Sequence, residues 1–149
     1  MSDGPTDITP AAADVESVTA VATEYFRSWF AGDGERMRAC LHPRLAKRTP
    51  VEPAASLRLD EDTAEQLVAH TAGGGGAGRP TWLEVTVLSA YGDIATVAVV
   101  SDPFVEYLHL ARFGDRWLIV NALYSRRAAA TTSPSTRAAS VNLPGLGPE

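Results

Sequence analysis

The sequence predicts an α+β domain, with about three N-terminal helices gathered on one face of an antiparallel sheet. Three observations carry this. Val15, Val18, Ala22, Tyr25, Phe26, Trp29 and Phe30 recur at helical spacing and form a wide apolar stripe. The stretch Ile94 to Tyr124, IATVAVVSDPFVEYLHLARFGDRWLIVNALY, is rich in β-branched and aromatic residues. It is cut at Asp102-Pro103 and at Gly114-Asp115, so it reads as three consecutive strands. Finally, most of the helical pattern precedes most of the strand pattern, which segregates the two kinds of element.

Composition supports one domain. The chain has 149 residues and a net charge of -5, enough for a single core and with no electrostatic reason to bind nucleic acid or acidic lipid. The domain is expected over residues 12–125. Residues 1–11 lack the basic start and apolar run of a signal peptide, and residues 126–149 are rich in Ala, Ser, Thr and Pro; both ends are expected to be disordered. No apolar stretch approaches membrane-spanning length. Cys40 is the lone cysteine, which excludes an internal disulfide and suits a reducing, cytoplasmic location. His42, His70 and His109 share no metal-ligand spacing, so neither a metal nor another cofactor is expected.

Taken in order, the first helix is expected from Asp14 to Ala31, capped by Asp14 and ended by Gly32. Asp33 then caps a short helix, Gly34 to Leu41, stopped by Pro43, with His42 at a helix end where a cation is favoured. Leu45 to Thr49 is a short strand. Its basic run, Arg44, Lys47 and Arg48, reads as a solvated edge or as an attractor for an anionic ligand. Pro50 to Asp60 is irregular. Asp62-Thr63 opens a third helix through Ala72, whose inner stripe is Ala64, Leu67, Val68 and Thr71 and whose last turn carries a solvated His70. Gly73 to Gly76 and Gly78 lack the Gly-Lys-Ser/Thr ending of a phosphate loop and read as a linker. Thr81 to Ala90 is a strand, with Leu83, Val85 and Val87 on one face and Trp82, Glu84, Thr86 and Leu88 on the other.

The Gly114-Asp115 turn sets a register for the last hairpin. If Phe113 faces Arg116, then Arg112 faces Trp117, Leu110 faces Ile119, Leu108 faces Asn121 and Glu106 faces Leu123, all on one face. Val105, Tyr107, His109 and Ala111 share the other with Leu118, Val120, Ala122 and Tyr124. Both faces are apolar, which predicts helices on one and a second copy of the chain on the other.

Three segments in this order, WFAGDGERM, LHPRLAKR (Leu41 to Arg48) and YLHLARFGDRWLIVN (Tyr107 to Asn121), resemble the putative lumazine-binding family of the nuclear transport factor 2-like (NTF2-like, SnoaL-like) superfamily. The resemblance runs from Val15 to Tyr124. It implies a cone, in which a strongly curved antiparallel sheet wraps around the helices and leaves a pocket at its open end. It also implies dimerisation through the sheet. The superfamily includes isomerases, dehydratases, polyketide cyclases, epoxide hydrolases and non-catalytic binders, so the fold does not name a reaction.

Candidate chemistry lies on the inward face. Glu106 is placed there among Phe104, Leu108, Leu110, Ile119 and Leu123. Such surroundings favour a neutral carboxyl able to act as acid or base near neutral pH. The plainer alternative is an ion pair with Arg48 or Arg112. Asn121 is read either as a group orienting a ligand carbonyl or as a satisfied core amide. His109 lies on the opposite face, a hydrogen-bonded interface histidine or, after a one-residue slip, a base in the pocket beside Tyr107. Tyr25 and Trp29 project from the first helix toward the sheet. With Trp82, Leu108 and Trp117, they are read as core or as ligand-contacting cavity wall, and the Tyr25 hydroxyl needs a polar partner. By analogy with the ketosteroid isomerases of the same superfamily, Glu106 resembles their second acid. Where their first acid stands, this chain has Lys47, Arg48 and Thr49. Two functions follow. One is a cofactor-independent isomerase, dehydratase or cyclase that moves a proton on a hydrophobic cyclic substrate, with Glu106, Asn121 and His109 as the catalytic candidates. The other is a non-catalytic binding module for a flat heterocycle or a protein partner.

Overall fold

The computed structural model describes residues 7–78 and 82–127; the ends expected to be disordered fall largely outside these residues. Helix α1 (Ala12–Ala31) starts before Asp14, with Ala11 at its N-cap. Asp14 sits instead in the first turn, where a negative charge suits the helix dipole, and its carboxylate accepts a 3.2 Å hydrogen bond from Arg112. Gly32 ends the helix at φ 70°, a conformation that glycine adopts without strain. Asp33 accepts from the Arg36 N–H at 3.1 Å and so caps α2 (Gly34–Cys40). Helix α3 (Ala64–Ala72) opens with a reciprocal capping box between Thr63 and Gln66.

Strand β1 (Leu41–Pro50) follows α2 without a loop and is longer than the expected Leu45 to Thr49. Pro43 cannot continue a helix, and it biases the residue before it toward extended backbone. His42 therefore belongs to a strand rather than a helix end, with its ring 5.0 Å from that of Phe113. Strand β2 (Leu59–Thr63) occupies part of the stretch expected to be irregular. It is an exposed, charged edge strand, LDEDT, with no apolar alternation to announce it. Strands β3 (Leu83–Tyr91), β4 (Ile94–Ser101), β5 (Phe104–Phe113) and β6 (Arg116–Arg126) complete one sheet, ordered β2-β1-β6-β5-β4-β3. Strand β1 runs parallel to β6 and every other pairing is antiparallel, so the sheet is mixed rather than wholly antiparallel. It is curved and unclosed.

Irregularities in the ladders accompany this curvature. The β5–β6 register runs as counted from the turn as far as Leu110 opposite Ile119 and then slips, so that His109 faces Asn121 and Glu106 faces Tyr124. The extra residue is Val120. A second slip leaves Leu88 unmatched between β3 and β4, and a third interrupts β1 against β6 between Leu41 and Ala46. Bulges bend a strand and increase its twist, which is what wrapping a sheet around a helix requires.

The core lies between the concave face and α1. Val18, Ala22, Phe26 and Phe30 from the helix join Val97, Val99, Leu108, Leu110 and Ile119 from the sheet. Phe26 meets Tyr25 edge to face at 4.9 Å.

Candidate functional site

Four elements meet at one group of polar side chains inside this core. Helix α1 supplies Tyr25 and, one turn on, Trp29; β1 supplies Lys47 and Thr49; β5 supplies Phe104 and Glu106; β6 supplies Tyr124 opposite Glu106. Glu106 is wholly buried. The Tyr25 hydroxyl donates to its Oε2 at 2.6 Å. Lys47 Nζ donates to the same Tyr25 hydroxyl oxygen at 2.9 Å and stands 3.4 Å from Oε2. The ammonium is also 4.8 Å from the ring centre of Tyr124, 5.4 Å from that of Tyr25 and 5.7 Å from that of Trp29. A cation held this way gains from both the carboxylate and the ring faces. Burial, and after it the negative charge of Glu106, pushes the Tyr25 hydroxyl well above the ordinary tyrosine range, so it stays a neutral donor.

Two buried polar atoms have no hydrogen-bond partner among the described residues: Glu106 Oε1 and Trp29 Nε1. Each such atom costs about 1–3 kcal/mol if left unpaired, and of the two, Trp29 borders a cavity. The cavity has a volume of about 790 Å³. Trp29, Lys47, Phe104 and Tyr124 line its inner part, and the exposed Glu52, Asp60 and His70 are at its mouth. Thr49 fixes the β6 side by donating to the Tyr124 carbonyl at 2.7 Å. Tyr25 and Glu106 lie behind Lys47 and do not line the space themselves. A second hollow of about 550 Å³, between α2 and α3 near Gly34, Arg38 and Glu65, is an open surface groove away from these groups.

Of the residues singled out in the sequence, Tyr25, Trp29 and Glu106 come together at this place. Asn121 does not. The Val120 bulge turns it to the outer face, where its amide lies 3.3 Å from His109 Nδ1. His109 is exposed on that same face. Leu108 is fully buried core, and Trp117 packs beneath the Arg112 guanidinium at 5.0 Å, near the Gly114 turn. Trp82 is half-exposed beside Arg127, with 5.7 Å between the guanidinium and the ring centre. None of these three lines the cavity. The expected ion partners of Glu106 are engaged elsewhere, Arg48 with Glu61 and Arg112 with Asp14 and Asp93. Its surroundings are therefore not purely apolar, because Lys47 and Tyr25 reach it.

Tyr124 was not singled out as a site residue in the sequence, and Lys47 entered only within a basic run read as a solvated edge or as an attractor for an anionic ligand. A signal for Lys47 was present: strand alternation puts it on the same face as Leu45, which is 3% exposed, so a lysine within a basic run points into the core. Tyr124 changes face only through the bulge.

The family described as putative lumazine-binding matches residues 13–125. The chain belongs to this family, and its fold is that of NTF2-like proteins. Among solved structures, an NTF2-like protein of unknown function from Shewanella baltica is similar over 81% of this chain and 99% of its own, at 13% identity and a TM-score of 0.66. One from Silicibacter pomeroyi is similar over 75% of this chain and 94% of its own, at 19% identity and a TM-score of 0.61. A cystatin-like-fold domain of unknown function from Nostoc punctiforme covers 81% of this chain and 82% of its own, at 15% identity and a TM-score of 0.59. At these identities the likeness concerns the fold. No curated protein matches the chain. No helix among the described residues is long and apolar enough to cross a membrane.

Proposed function

We propose that the cavity binds a small, flat heterocycle, with an acceptor oxygen of the ligand against Lys47 and its ring against Trp29 and Tyr124. The observation that carries this is the Lys47 ammonium at the inner end of the cavity, its side chain 12% exposed, held by Tyr25 and Glu106 and surrounded by aromatic faces. An ammonium has three donors. Its one hydrogen bond among the described residues is to the Tyr25 hydroxyl, with Glu106 as a 3.4 Å ion partner, which leaves donor capacity for a ligand. Aromatic walls around one placed polar group are the usual make-up of a small-molecule pocket. Lumazine, which the family name supplies, is the first probe. At about 100 times its dissociation constant it should add roughly 2.7 kcal/mol to stability, and Trp29→Ala should abolish that shift while remaining folded by circular dichroism. Absence of a shift in the parent protein with both lumazine and pterin would overturn the reading.

A second reading rests on the chain of contacts from Lys47 through Tyr25 to Glu106, which joins the cavity to a buried carboxyl group. Such a chain suits acid/base proton transfer on a cyclic substrate, with Lys47 as the group that meets it. Turnover of a bound compound that Glu106→Gln removes, with binding kept, would favour this over simple binding. The outer face, where Leu88, Tyr107 and Leu123 are about half exposed, suits a second copy of the chain, which a sedimentation mass of two chains would show.

A further inference from the structure

The glycine run after α3 has a closer relation to the site than that of a linker. Its backbone is pinned to the helix end, with the N–H groups of Gly73, Gly74 and Gly75 donating to the carbonyls of Ala69, Thr71 and His70 at 2.9, 3.0 and 3.0 Å. This lays Gly75 and Gly76 directly on the Trp29 indole. A Cβ at Gly76 would stand 2.3 Å from Trp29 Nε1 and 2.5 Å from its Cδ1; one at Gly75 would stand 2.7 Å from Cη2. Gly74 and Gly78 have positive φ, a backbone reason to be glycine, but Gly75 and Gly76 do not. At Gly76 every nearest contact is with the indole, so the missing side chain answers to the ring and not to the backbone.

The indole packs against the core but has no hydrogen-bond anchor among the described residues. Its N–H lacks an acceptor among the described residues, and the cation facing it, Lys47, is 5.7 Å from the ring centre. Steric contact fixes it: core side chains and the Gly75-Gly76 backbone pack on the ring, and Trp29 and Gly75 both border the cavity. We infer that the Gly75-Gly76 backbone is a positioning element for Trp29, setting how far the indole stands into the cavity and hence the width of ring system the cavity accepts. This rests on the reading of the cavity as a heterocycle site and adds its size limit. A methyl group at Gly76 that leaves the turn intact must displace the indole, and the indole borders the space the ligand would use.

The test compares Gly76→Ala with Gly73→Ala, a change in the same turn whose Cβ would meet only backbone oxygens, the nearest at 3.3 Å. Two readouts are needed. The indole N–H resonance of Trp29, assigned by its loss in Trp29→Phe, should move in Gly76→Ala and stay in place in Gly73→Ala. Affinity for the two-ring probe lumazine should fall about tenfold or more in Gly76→Ala, the scale of a methylene-sized misfit, while the one-ring probe uracil loses less than about threefold. Gly76→Ala combined with Trp29→Phe should recover lumazine binding relative to Gly76→Ala alone, because the smaller ring makes room for the methyl group. An unmoved resonance with unchanged affinities overturns the inference, and so does a Gly76→Ala protein that fails to fold and is not restored by Trp29→Phe. If the parent protein binds neither probe, the heterocycle reading and the size limit drawn from it both fall, while the resonance shift and the Trp29→Phe rescue still decide whether these glycines position the indole.

Discussion

Lys47→Met is expected to destabilise the protein by about 3 kcal/mol, because removing one member of a buried ion pair strands the other. In a domain of this size that lowers the thermal midpoint by roughly 10 °C. The Glu106 side chain is 1% exposed and that of Lys47 12%, so little water reaches the carboxyl group once the ammonium is gone. The wholly buried Oε1 already lacks a partner. Methionine keeps most of the length of the lysine stem, so the loss is electrostatic and not a cavity effect. The double variant Lys47→Met with Glu106→Gln removes both charges and should recover a large part of the loss, and urea unfolding of the four proteins in the cycle measures the coupling. Arg36 and Glu24 give the contrast. Their contact is shorter, 2.6 Å, yet both side chains are about two-fifths exposed, and Arg36→Met should cost less than about 1 kcal/mol. A Lys47→Met protein as stable as the parent would mean that the pair contributes nothing and that the cavity supplies the missing solvation.

What the sequence revealed and what it concealed divide along the range of the interactions involved. The stripe on α1, the Gly32 ending, the Asp33 cap and the Gly114 turn at φ 70° are set by residues a few positions apart, so local pattern suffices to find them. The face of Glu106 was legible for the same reason, since buried and exposed residues alternate strictly along β5 from Glu106 to Leu110. Asn121 was misplaced because its face depends on Val120 bulging out of β6. That bulge lies where the parallel neighbour β1 is itself irregular, between Leu41 and Ala46, and the two strands are far apart in the sequence. Strand β2 was missed because an edge strand survives on charge and on pairing with one neighbour, neither of which leaves an apolar period. The partner of Tyr25 was a question the sequence posed and could not answer, since it requires α1 and β5 to be superposed. The role of Gly75 and Gly76 belongs to the same class: a glycine without positive φ gives no turn signal, and the indole that excludes a side chain there comes from another helix.

Tyr25→Phe is expected to cost about 2 kcal/mol at neutral pH, within the range for a hydrogen bond to a charged group, with a loss that shrinks in alkali. The hydroxyl donates to Glu106 and accepts from Lys47, and phenylalanine fills the same space without it. Burial raises the folded-state pKa of this tyrosine well above that of an exposed one. Above about pH 10 the unfolded chain therefore loses a proton that the folded chain keeps, and stability falls by roughly 1.4 kcal/mol per pH unit from this group until its folded pKa is reached. Phenylalanine has no such proton to lose. The parent and Tyr25→Phe proteins should thus converge as pH rises past 10, the gap closing at that same slope. The Cys40 thiol, pushed up to about 12 by burial, and the raised Tyr124 hydroxyl add alkaline instability to both proteins alike and cancel in the difference. Loss of packing alone would leave the gap constant with pH. Urea midpoints between pH 7 and pH 11 distinguish the two, and a constant gap would mean that the Tyr25 hydroxyl is not the neutral bridge between Lys47 and Glu106 that the geometry describes.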